Sequence, residues 1–295
     1  MDKRLKEAVR GIQRQKWLDQ VGNPLQQSIA SAYEAGGETG KKIKNILHGT
    51  WLEHPLHPVL TDLPIGSWTA ALVFDIFGSD NGDRKLAAGA DAAVAIGLAG
   101  AAGSAVTGLT DWQHVDGPAR RIGLMHGLLN IGAFTLYTIS LLLRLSGSRS
   151  SGRAMSLLGY TTASAAAYLG GEMVYGQKIG VDHANRKQLK PEFTVVLAES
   201  DLPDSQPKQV EVDGVRVLLV RRGQQVYAIG NVCSHLSCSL SGGRLLSDNS
   251  IVCPCHGSRF SLEDGQVLDG PATYPEPRFE ARIHNGQIEV RGFEA

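Results

Sequence analysis

Apolar residues are concentrated in the middle of the chain, between positions 58 and 176, and charged residues lie mostly on either side of that stretch. Four segments within it have few or no charges and come close to the roughly 20 residues that a helix needs to cross a bilayer. The first is the weakest candidate because it carries Asp62 and Asp75. The four segments are 59–77, 92–110, 122–143 and 154–171. The pattern predicts a four-helix membrane domain over residues 51–182.

Small residues recur at every fourth position of the second and fourth segments, a spacing that lets helix backbones approach closely in lipid. They are Gly100, Ser104 and Gly108 in one segment and Gly159, Ala163, Ala167 and Gly171 in the other. A soluble alanine-rich bundle is the alternative, since such helices are only modestly hydrophobic. Four successive segments of spanning length favour insertion into a membrane.

The regions on either side of this bundle have different patterns. In residues 1–50, apolar side chains recur at near-helical spacing between basic ones, as in an amphipathic helix at the cytoplasmic membrane interface. A solvated helix and a partner-binding helix are the alternatives. Residues 177–190 form a polar tether, and short runs of strand-forming residues between turns then predict a small antiparallel β-sandwich over 191–293. The predicted strands are 193–197, 209–212, 215–221, 225–229, 251–253, 278–283 and 287–291. The predicted fold class is therefore α + β multidomain.

Charge adds an expectation about partners and another about sidedness. Lys plus Arg and Asp plus Glu are equal at 29 each, so no global charge indicates a nucleic-acid partner. Four spans place both termini on one side, where nine basic residues flank the spans against five on the other side. Because positive charge marks the cytoplasmic side, we expect the C-terminal β-domain to be cytoplasmic. We expect no cleavable signal peptide, since residues 1–50 are charged and amphipathic.

All four cysteines of the chain lie in two short C-terminal motifs. The first is CSHLSC, which begins at Cys233, and the second is CPCHGS, which begins at Cys253. Each motif contains one histidine at C-x-H or C-x-x-H spacing and a second cysteine. Two thiolates on one iron and two imidazoles on the other are the ligands of a Rieske [2Fe–2S] centre. A tetrahedral zinc site is the alternative, but six potential ligands exceed the four that it takes.

The two motifs resemble the cluster-binding loops of Rieske proteins of the cytochrome bc type, and the resemblance covers residues 191–293. The iron ligands that it implies are Cys233, His235, Cys253 and His256. It also implies a disulfide between Cys238 and Cys255 beside the cluster. Gly270-Pro271-Ala272 is similar to the proline loop that covers the cluster in the family.

Two positions depart from the family pattern. Ser237 stands where the family usually has Gly, and Phe260 stands where it has a Tyr, whereas Ser258 matches the Ser that hydrogen-bonds the cluster. A hydroxyl donor near the sulfurs stabilises the reduced, more negative cluster. The missing Tyr hydroxyl therefore predicts a reduction potential below that of the quinol-oxidising complexes.

The predicted membrane domain carries histidines of its own. HPLHPVLTDLPIGSW, which contains His54 and His57, and LMHGLLN, which contains His126, resemble a family of uncharacterised bacterial four-helix membrane domains. That resemblance implies a multi-pass protein of the bacterial inner membrane and supplies no activity. One interpretation is that the histidines are interfacial residues. Another is that His126 binds a haem b together with either His57 or His54. A third interpretation is a quinone or proton site with Asp62 and Glu172, which are costly in lipid unless they are functional.

These features favour one-electron transfer by a membrane-anchored protein. The partners we expect are membrane lipid, a quinone or haem b, and a soluble electron donor or acceptor protein. A redox-sensing module, in which the cluster state controls the membrane domain, is the alternative, and quinol oxidation would need a second acceptor such as haem. A ring-hydroxylating dioxygenase would add an iron held by two histidines and a carboxylate. Asp111-x-x-His114 lacks the histidine that should follow, so we do not expect that activity.

Overall fold

The computed structural model describes residues 3–78 and 84–293 of the 295-residue chain. The chain forms two compact units, each made of two stretches of sequence. The helical unit comprises Met1–Lys41 and Leu56–Ile179, and the β unit comprises Lys42–Pro55 and Gly180–Ala295. The short stretch before the first predicted span therefore belongs to the β unit.

The N-terminal region forms three helices, where the periodicity of the sequence predicts one. They are α1 (Lys3–Gln13), α2 (Trp17–Ala35) and α3 (Gly37–His48). The break before α3 falls at Gly37, whose φ of 53° lies in the left-handed region that glycine adopts without steric cost.

Helix α2 is held to the bundle by polar contacts as well as by apolar packing. The Asp19 carboxylate accepts hydrogen bonds from the guanidinium groups of Arg121 and Arg120, which lower its pKa to about 2. The Gln26 amide donates to the backbone carbonyls of Trp112 and Val115 at 2.8 and 2.9 Å. One face of the amphipathic segment therefore lies on protein.

Four long helices follow at the positions that the hydrophobic pattern predicts. They are α4 (Leu56–Gly78), α5 (Arg84–Trp112), α6 (Gly117–Leu145) and α7 (Arg149–Gly171). Helices α4 and α5 form one closely packed hairpin, and α6 and α7 form another. Within the described residues, α4, α5 and α6 are long and apolar enough to cross a membrane. Helix α7 is not among them, because its many Ser, Thr, Tyr and Gly residues make it less apolar, so three of the four predicted spans are supported by length and composition.

A buried ion-pair network joins the two hairpins. The Arg144 guanidinium of α6 is fully buried and binds the carboxylates of Asp75 on α4 and Asp91 on α5. It also donates to the hydroxyls of Ser140 and Ser156, at 3.1 and 3.0 Å. A buried guanidinium needs this degree of pairing, because an unpaired charge in an apolar interior is very costly.

The β unit contains two antiparallel sheets, with strands in the order β1-β10-β9-β4-β3-β2 in one and β5-β6-β7-β8 in the other. The strands of the larger sheet are β1 (Thr194–Ala198), β2 (Lys208–Val212), β3 (Val215–Arg222), β4 (Gln225–Gly230), β9 (Arg278–His284) and β10 (Gln287–Arg291). Those of the smaller sheet are β5 (Arg244–Leu245), β6 (Ser250–Val252), β7 (Arg259–Ser261) and β8 (Val267–Asp269).

All seven predicted strands are present, within two residues at each end. The three that the sequence pattern misses, β5, β7 and β8, are only two or three residues long.

Candidate metal centre

Two loops of the β unit, one after β4 and one after β6, have the same backbone hydrogen bonding. In the first, the Cys233 N–H donates to the Cys238 carbonyl, and the Ser237 N–H donates back to the Cys233 carbonyl. In the second, the Cys253 N–H donates to the Ser258 carbonyl, and the Gly257 N–H donates back to the Cys253 carbonyl. The two CSHLSC and CPCHGS motifs are therefore folded as matching turns.

The turns also share a left-handed residue at the equivalent position. Gly257 has φ of 79° and Ser237 has φ of 63°. This conformation accounts for the family preference for glycine at the position that Ser237 occupies. The Ser237 hydroxyl is hydrogen-bonded to the Nδ1 atom of His183 at 3.0 Å, a contact that a glycine at this position could not make.

The four cysteines divide into a disulfide and a pair of thiols. Cys238 and Cys255 are joined by a disulfide that links the two loops, as the family resemblance implies. Cys233 and Cys253 are free thiols, 1% and 2% exposed, and their side chains are hydrogen-bonded to each other. That bond lowers the pKa of the Cys253 thiol to about 6, and backbone N–H groups of Cys255 and His256 lower it as well. The site therefore favours thiolate at Cys253, the form that binds metal.

The two histidines of the motifs lie beside each other. The ring centroids of His235 and His256 are 5.0 Å apart, with their planes at 85°. Burial lowers the pKa of His235 to about 3, and the neighbouring His256 lowers it further, so the ring is neutral. Neutral imidazole is the form that ligates metal. Two adjoining thiols and two adjoining imidazoles on paired loops fit the donor set of a Rieske cluster.

The residues expected around the cluster, Ser258, Phe260 and Pro271, are all buried. Phe260 is fully buried in the same apolar core as Cys233 and Cys253. The Ser258 hydroxyl accepts a hydrogen bond from the Ala272 backbone N–H at 2.9 Å, which leaves its own hydrogen for another acceptor. Pro271, next to Ala272, is buried. Ser258 thus connects the second cysteine loop to the proline loop.

Glu276, a buried carboxyl that supports the first loop, was not predicted from the sequence. Its side chain is 2% exposed, and one carboxyl oxygen accepts a hydrogen bond from the Ser234 backbone N–H at 2.7 Å. Burial raises the pKa of Glu276 to about 8. Since Ser234 lies between Cys233 and His235, Glu276 fixes the position of both. A charged residue among otherwise turn-forming positions is the only signal that the sequence offers.

A second missed feature is the stretch before the first span, which packs on the proline loop within the β unit. The Asn45 amide donates to the Asp269 carboxylate and accepts from the Gly270 backbone N–H, both at 3.0 Å. The His48 ring is fully buried against Gly270, where an added Cβ would come within 3.0 Å of it. These partners are more than 220 residues apart in sequence, so no local pattern indicates the contact.

The candidate redox residues of the membrane domain are only partly brought together. The rings of His57 and His126 lie in the helical unit with centroids 6.3 Å apart. His54 belongs to the β unit, where its ring packs edge-on against Tyr274 at 5.6 Å. Asp62 is exposed on α4, and Glu172 begins a single π-helical turn after α7. The structure therefore pairs His57 with His126, whereas His54 belongs to the other unit.

Comparison with protein families matches both parts of the chain. Residues 192–284 match the family described as Rieske [2Fe-2S] domain. Residues 53–183 match the family described as Predicted membrane protein (DUF2231). The two matched segments lie in one chain and do not overlap.

Individual relatives match about a third of the chain. The cytochrome b6-f complex iron-sulfur subunit of Chlorobaculum thiosulfatiphilum is 34% identical over 99 residues, which cover 34% of this chain and 52% of the relative. The 3-phenylpropionate/cinnamic acid dioxygenase ferredoxin subunit of Escherichia coli (strain K12) is 33% identical over 91 residues, covering 31% of this chain and 85% of the relative. The chain thus spans about half the length of the b6-f subunits that it matches.

Among solved structures, the ferredoxin of carbazole 1,9a-dioxygenase from Nocardioides aromaticivorans IC177 is 30% identical, with a TM-score of 0.33. The similarity covers 34% of this chain and 98% of that chain. The match to the Rieske family agrees with the paired cysteine–histidine loops. The chain belongs to the Rieske [2Fe–2S] electron-transfer proteins, and it joins their iron–sulfur domain to a membrane domain of the DUF2231 family.

Proposed function

We propose that the β unit holds its [2Fe–2S] cluster between the two paired loops and passes one electron at a time to and from partners. The observation that carries this proposal is the meeting of two buried thiols and two neutral imidazoles on matching turns. Their cysteines Cys233 and Cys253 ligate one iron, and His235 and His256 ligate the other. When bound, the cluster supplies a single reversible electron-accepting group.

The protein's own residues hold this group and exclude water from it. The disulfide and the Ser258–Ala272 hydrogen bond keep the two loops and the proline loop together. Burial of both thiols and the apolar core around Phe260 lower the local polarity, which is one of the means by which proteins set a cluster's potential. The two imidazoles are only partly buried, so they form the exit for the electron.

One partner of the cluster, in this proposal, is a redox group in the membrane, either the quinone pool or a haem b in the bundle. The other is a soluble protein that accepts or donates electrons. Two relatives support these classes, since one is a subunit of the cytochrome b6-f complex and the other is the ferredoxin subunit of a dioxygenase. Asp62 and Glu172 remain the candidate residues for a quinone site.

We also propose that α7 crosses the membrane, which gives four spans in a bacterial inner membrane and a cytoplasmic β unit. Helix α7 packs along α6 as closely as α5 packs along α4. Arg144, one of the five basic residues assigned to the opposite side, is buried in its ion-pair network and is not a flanking charge. A C-terminal fusion to alkaline phosphatase, inactive in the cytoplasm, tests the sidedness; an active fusion contradicts it.

A second candidate function is redox sensing, and the packing of Asn45 on the proline loop favours it. The residues after Asn45 lead directly into α4, so a change in the proline loop on cluster reduction has a covalent route to the membrane domain. Limited proteolysis of the oxidised and the reduced protein distinguishes the two functions. Sensing predicts a redox-dependent cleavage pattern without turnover of a quinol, whereas electron transfer predicts turnover.

The test of the main proposal is a potentiometric titration of the detergent-purified full chain, followed by electron paramagnetic resonance. We expect one Rieske-type signal that appears and disappears reversibly with a one-electron dependence, and reduction of the cluster by a quinol analogue. An iron-free protein, or a bound zinc in its place, would contradict the cluster assignment.

Replacing Cys238 with Ser should weaken the hold of the protein on its cluster. The disulfide closes a loop over a sequence separation of 17, for which cross-linking contributes about 3 kcal/mol in the chain-entropy model. We therefore expect faster loss of the cluster's visible absorbance on heating and a lower reduction potential. Cys255→Ser breaks the same disulfide and is the matched control. The double variant should lose its cluster no faster than either single variant, because the same cross-link is absent in all three. Equal heat resistance of variant and wild type would refute the stabilising role.

Replacing Phe260 with Tyr should raise the midpoint potential of the cluster. The new hydroxyl enters the core that surrounds Cys233 and Cys253, where a donor stabilises the reduced state. A hydrogen bond stronger by about 1 kcal/mol in that state corresponds to a shift on the order of 50 mV for one electron. Phe293→Tyr, at an exposed position, is the control and should leave the potential unchanged. A potential that does not move in the Phe260 variant would show that the hydroxyl does not reach the cluster.

A further inference from the structure

The two hairpins of the helical unit, α4–α5 and α6–α7, repeat one arrangement of side chains. In each hairpin, an imidazole and a larger aromatic ring, eleven residues apart on the first helix, lie against two glycines on the second helix. The glycines are also eleven residues apart, and an added Cβ would come close to the facing ring. The four contacts are His57–Gly108, Trp68–Gly97, His126–Gly170 and Tyr137–Gly159. The second hairpin is therefore a structural repeat of the first.

Corresponding residues of the two repeats also contact each other. The imidazoles form one pair, the larger aromatic rings form a stacked pair at 4.1 Å, and a carboxylate and a guanidinium form the third pair. The pairs are His57–His126, Trp68–Tyr137 and Asp75–Arg144, each separated by 69 residues in sequence. Equivalent residues of two copies meet in this way only along a two-fold axis. The two imidazoles therefore lie on the approximate axis that relates the hairpins.

Both imidazoles make the same kind of backbone hydrogen bond. The Nδ1 atom of His57 is 2.9 Å from the Ser104 carbonyl oxygen, and the Nδ1 atom of His126 is 2.8 Å from the Ala166 carbonyl oxygen. A carbonyl only accepts, so each Nδ1 carries the hydrogen, and in the neutral ring each Nε2 carries the lone pair. At His126 that lone pair faces the Asn130 amide at 3.1 Å. An Nδ1–H bonded to a backbone carbonyl is the usual arrangement of a metal-ligating histidine.

The number of ligands limits what this pair can hold. Among the described residues, no group of three or more His, Cys, Asp or Glu side chains surrounds a single point. Two imidazoles are too few for a tetrahedral zinc site, which takes four ligands. A haem supplies four nitrogens of its own and takes two axial ligands from the protein. The ring centroids are 6.3 Å apart, close to the roughly 6 Å expected for two rings on opposite sides of one iron at metal–nitrogen distances of about 2 Å.

We propose that His57 and His126 are the axial ligands of one b-type haem, bound between the two hairpins of the helical unit. Cofactor sites in helical bundles are commonly built in this way, from side chains on facing helices. Each hairpin contributes one ligand, and the glycines behind the rings leave them the room to face the axis. The haem and the [2Fe–2S] cluster have separate spectra, so the haem proposal can be tested independently of the cluster ligands.

The experiment is a reduced-minus-oxidised absorption spectrum of the full chain, purified in detergent from haem-replete cells, with haem quantified as its pyridine complex. We expect about one haem b per chain. His57→Ala and His126→Ala should each reduce the haem content at least tenfold and leave the Rieske resonance of the same sample unchanged. His114→Ala, in the loop between α5 and α6 of the same unit, is the control and should keep its haem.

A conservative variant separates ligation from a structural role. His126→Met retains an axial ligand but exchanges nitrogen for sulfur, so we expect haem to remain bound with a raised midpoint potential. Haem-free wild-type protein that also fails to bind added haemin, or unchanged haem content in both alanine variants, would overturn the proposal. An unshifted haem potential in His126→Met would overturn it as well. If the wild-type protein contains haem but shows no Rieske resonance, the cluster assignment is wrong and the haem proposal stands.

Discussion

His256→Ala should abolish the Rieske resonance and leave the helical unit folded. His256 is one of two imidazoles on the second iron in the proposed site, and its ring lies 5.0 Å from that of His235. Alanine removes a ligand without providing another, so iron bound by the remaining three ligands is exposed to loss. We expect at least a tenfold loss of signal amplitude and of bound iron and sulfide. The measurement is electron paramagnetic resonance with metal analysis, on protein that still elutes as a single species.

The matched control is His284→Ala. His284 is an exposed histidine of β9 in the same unit, with its side chain 53% exposed. This variant should keep the full signal. His256→Cys adds a second check, since a thiolate can replace the imidazole and should lower the potential towards that of an all-cysteine cluster. A normal Rieske signal in His256→Ala would show that the ligand assignment is wrong.

Arg144→Met should destabilise the helical unit by about 3–5 kcal/mol, the usual cost of removing one partner of a buried ion pair. The Arg144 side chain is fully buried, and its removal leaves the Asp75 carboxylate, among the described residues, with the partly exposed Arg153 at 3.6 Å as its ion-pair partner. The measurement is the midpoint temperature at which detergent-solubilised protein loses its monodisperse elution.

Two comparisons make this result specific. Arg149→Met removes a guanidinium that is 30% exposed and should cost far less, because partly exposed pairs contribute about 0–1 kcal/mol. The double variant Asp75→Leu, Arg144→Met should recover much of the loss, since replacing both charges leaves neither unpaired. Equal effects of Arg144→Met and Arg149→Met would contradict the role assigned to burial.

The positions of the long helices and of most strands follow from the sequence, because each is set by local periodicity. Apolar segments of spanning length became α4 to α7, and alternating segments became the strands of the larger sheet. Three N-terminal helices replace the single one expected, because the helix is broken both between Gln13 and Trp17 and at Gly37. The strands β5, β7 and β8, of two or three residues, were missed, whereas β6, of three residues, was predicted.

The candidate metal centre was predictable for a different reason. Its chemistry is carried by residue types at short spacings, so CSHLSC and CPCHGS identify the loops before any fold is known. The supporting groups are not local in this sense. Glu276 reaches the first loop from 42 residues away, and Asn45 reaches the proline loop from more than 220. Neither residue belongs to a motif, and only packing brings them to the site.

The sequence by itself determined where the long helices and most strands lie, and it singled out the four side chains that we propose as iron ligands, because these properties depend on neighbours within a few residues. Tertiary structure decided the rest. It assigned the stretch from Lys42 to Pro55 to the β unit, and it buried Arg144 among carboxylates from two other helices. It also placed the ring of His57 beside that of His126, in the unit that does not contain His54. Each of these outcomes depends on which distant surfaces pack together, and residue order alone does not contain that information.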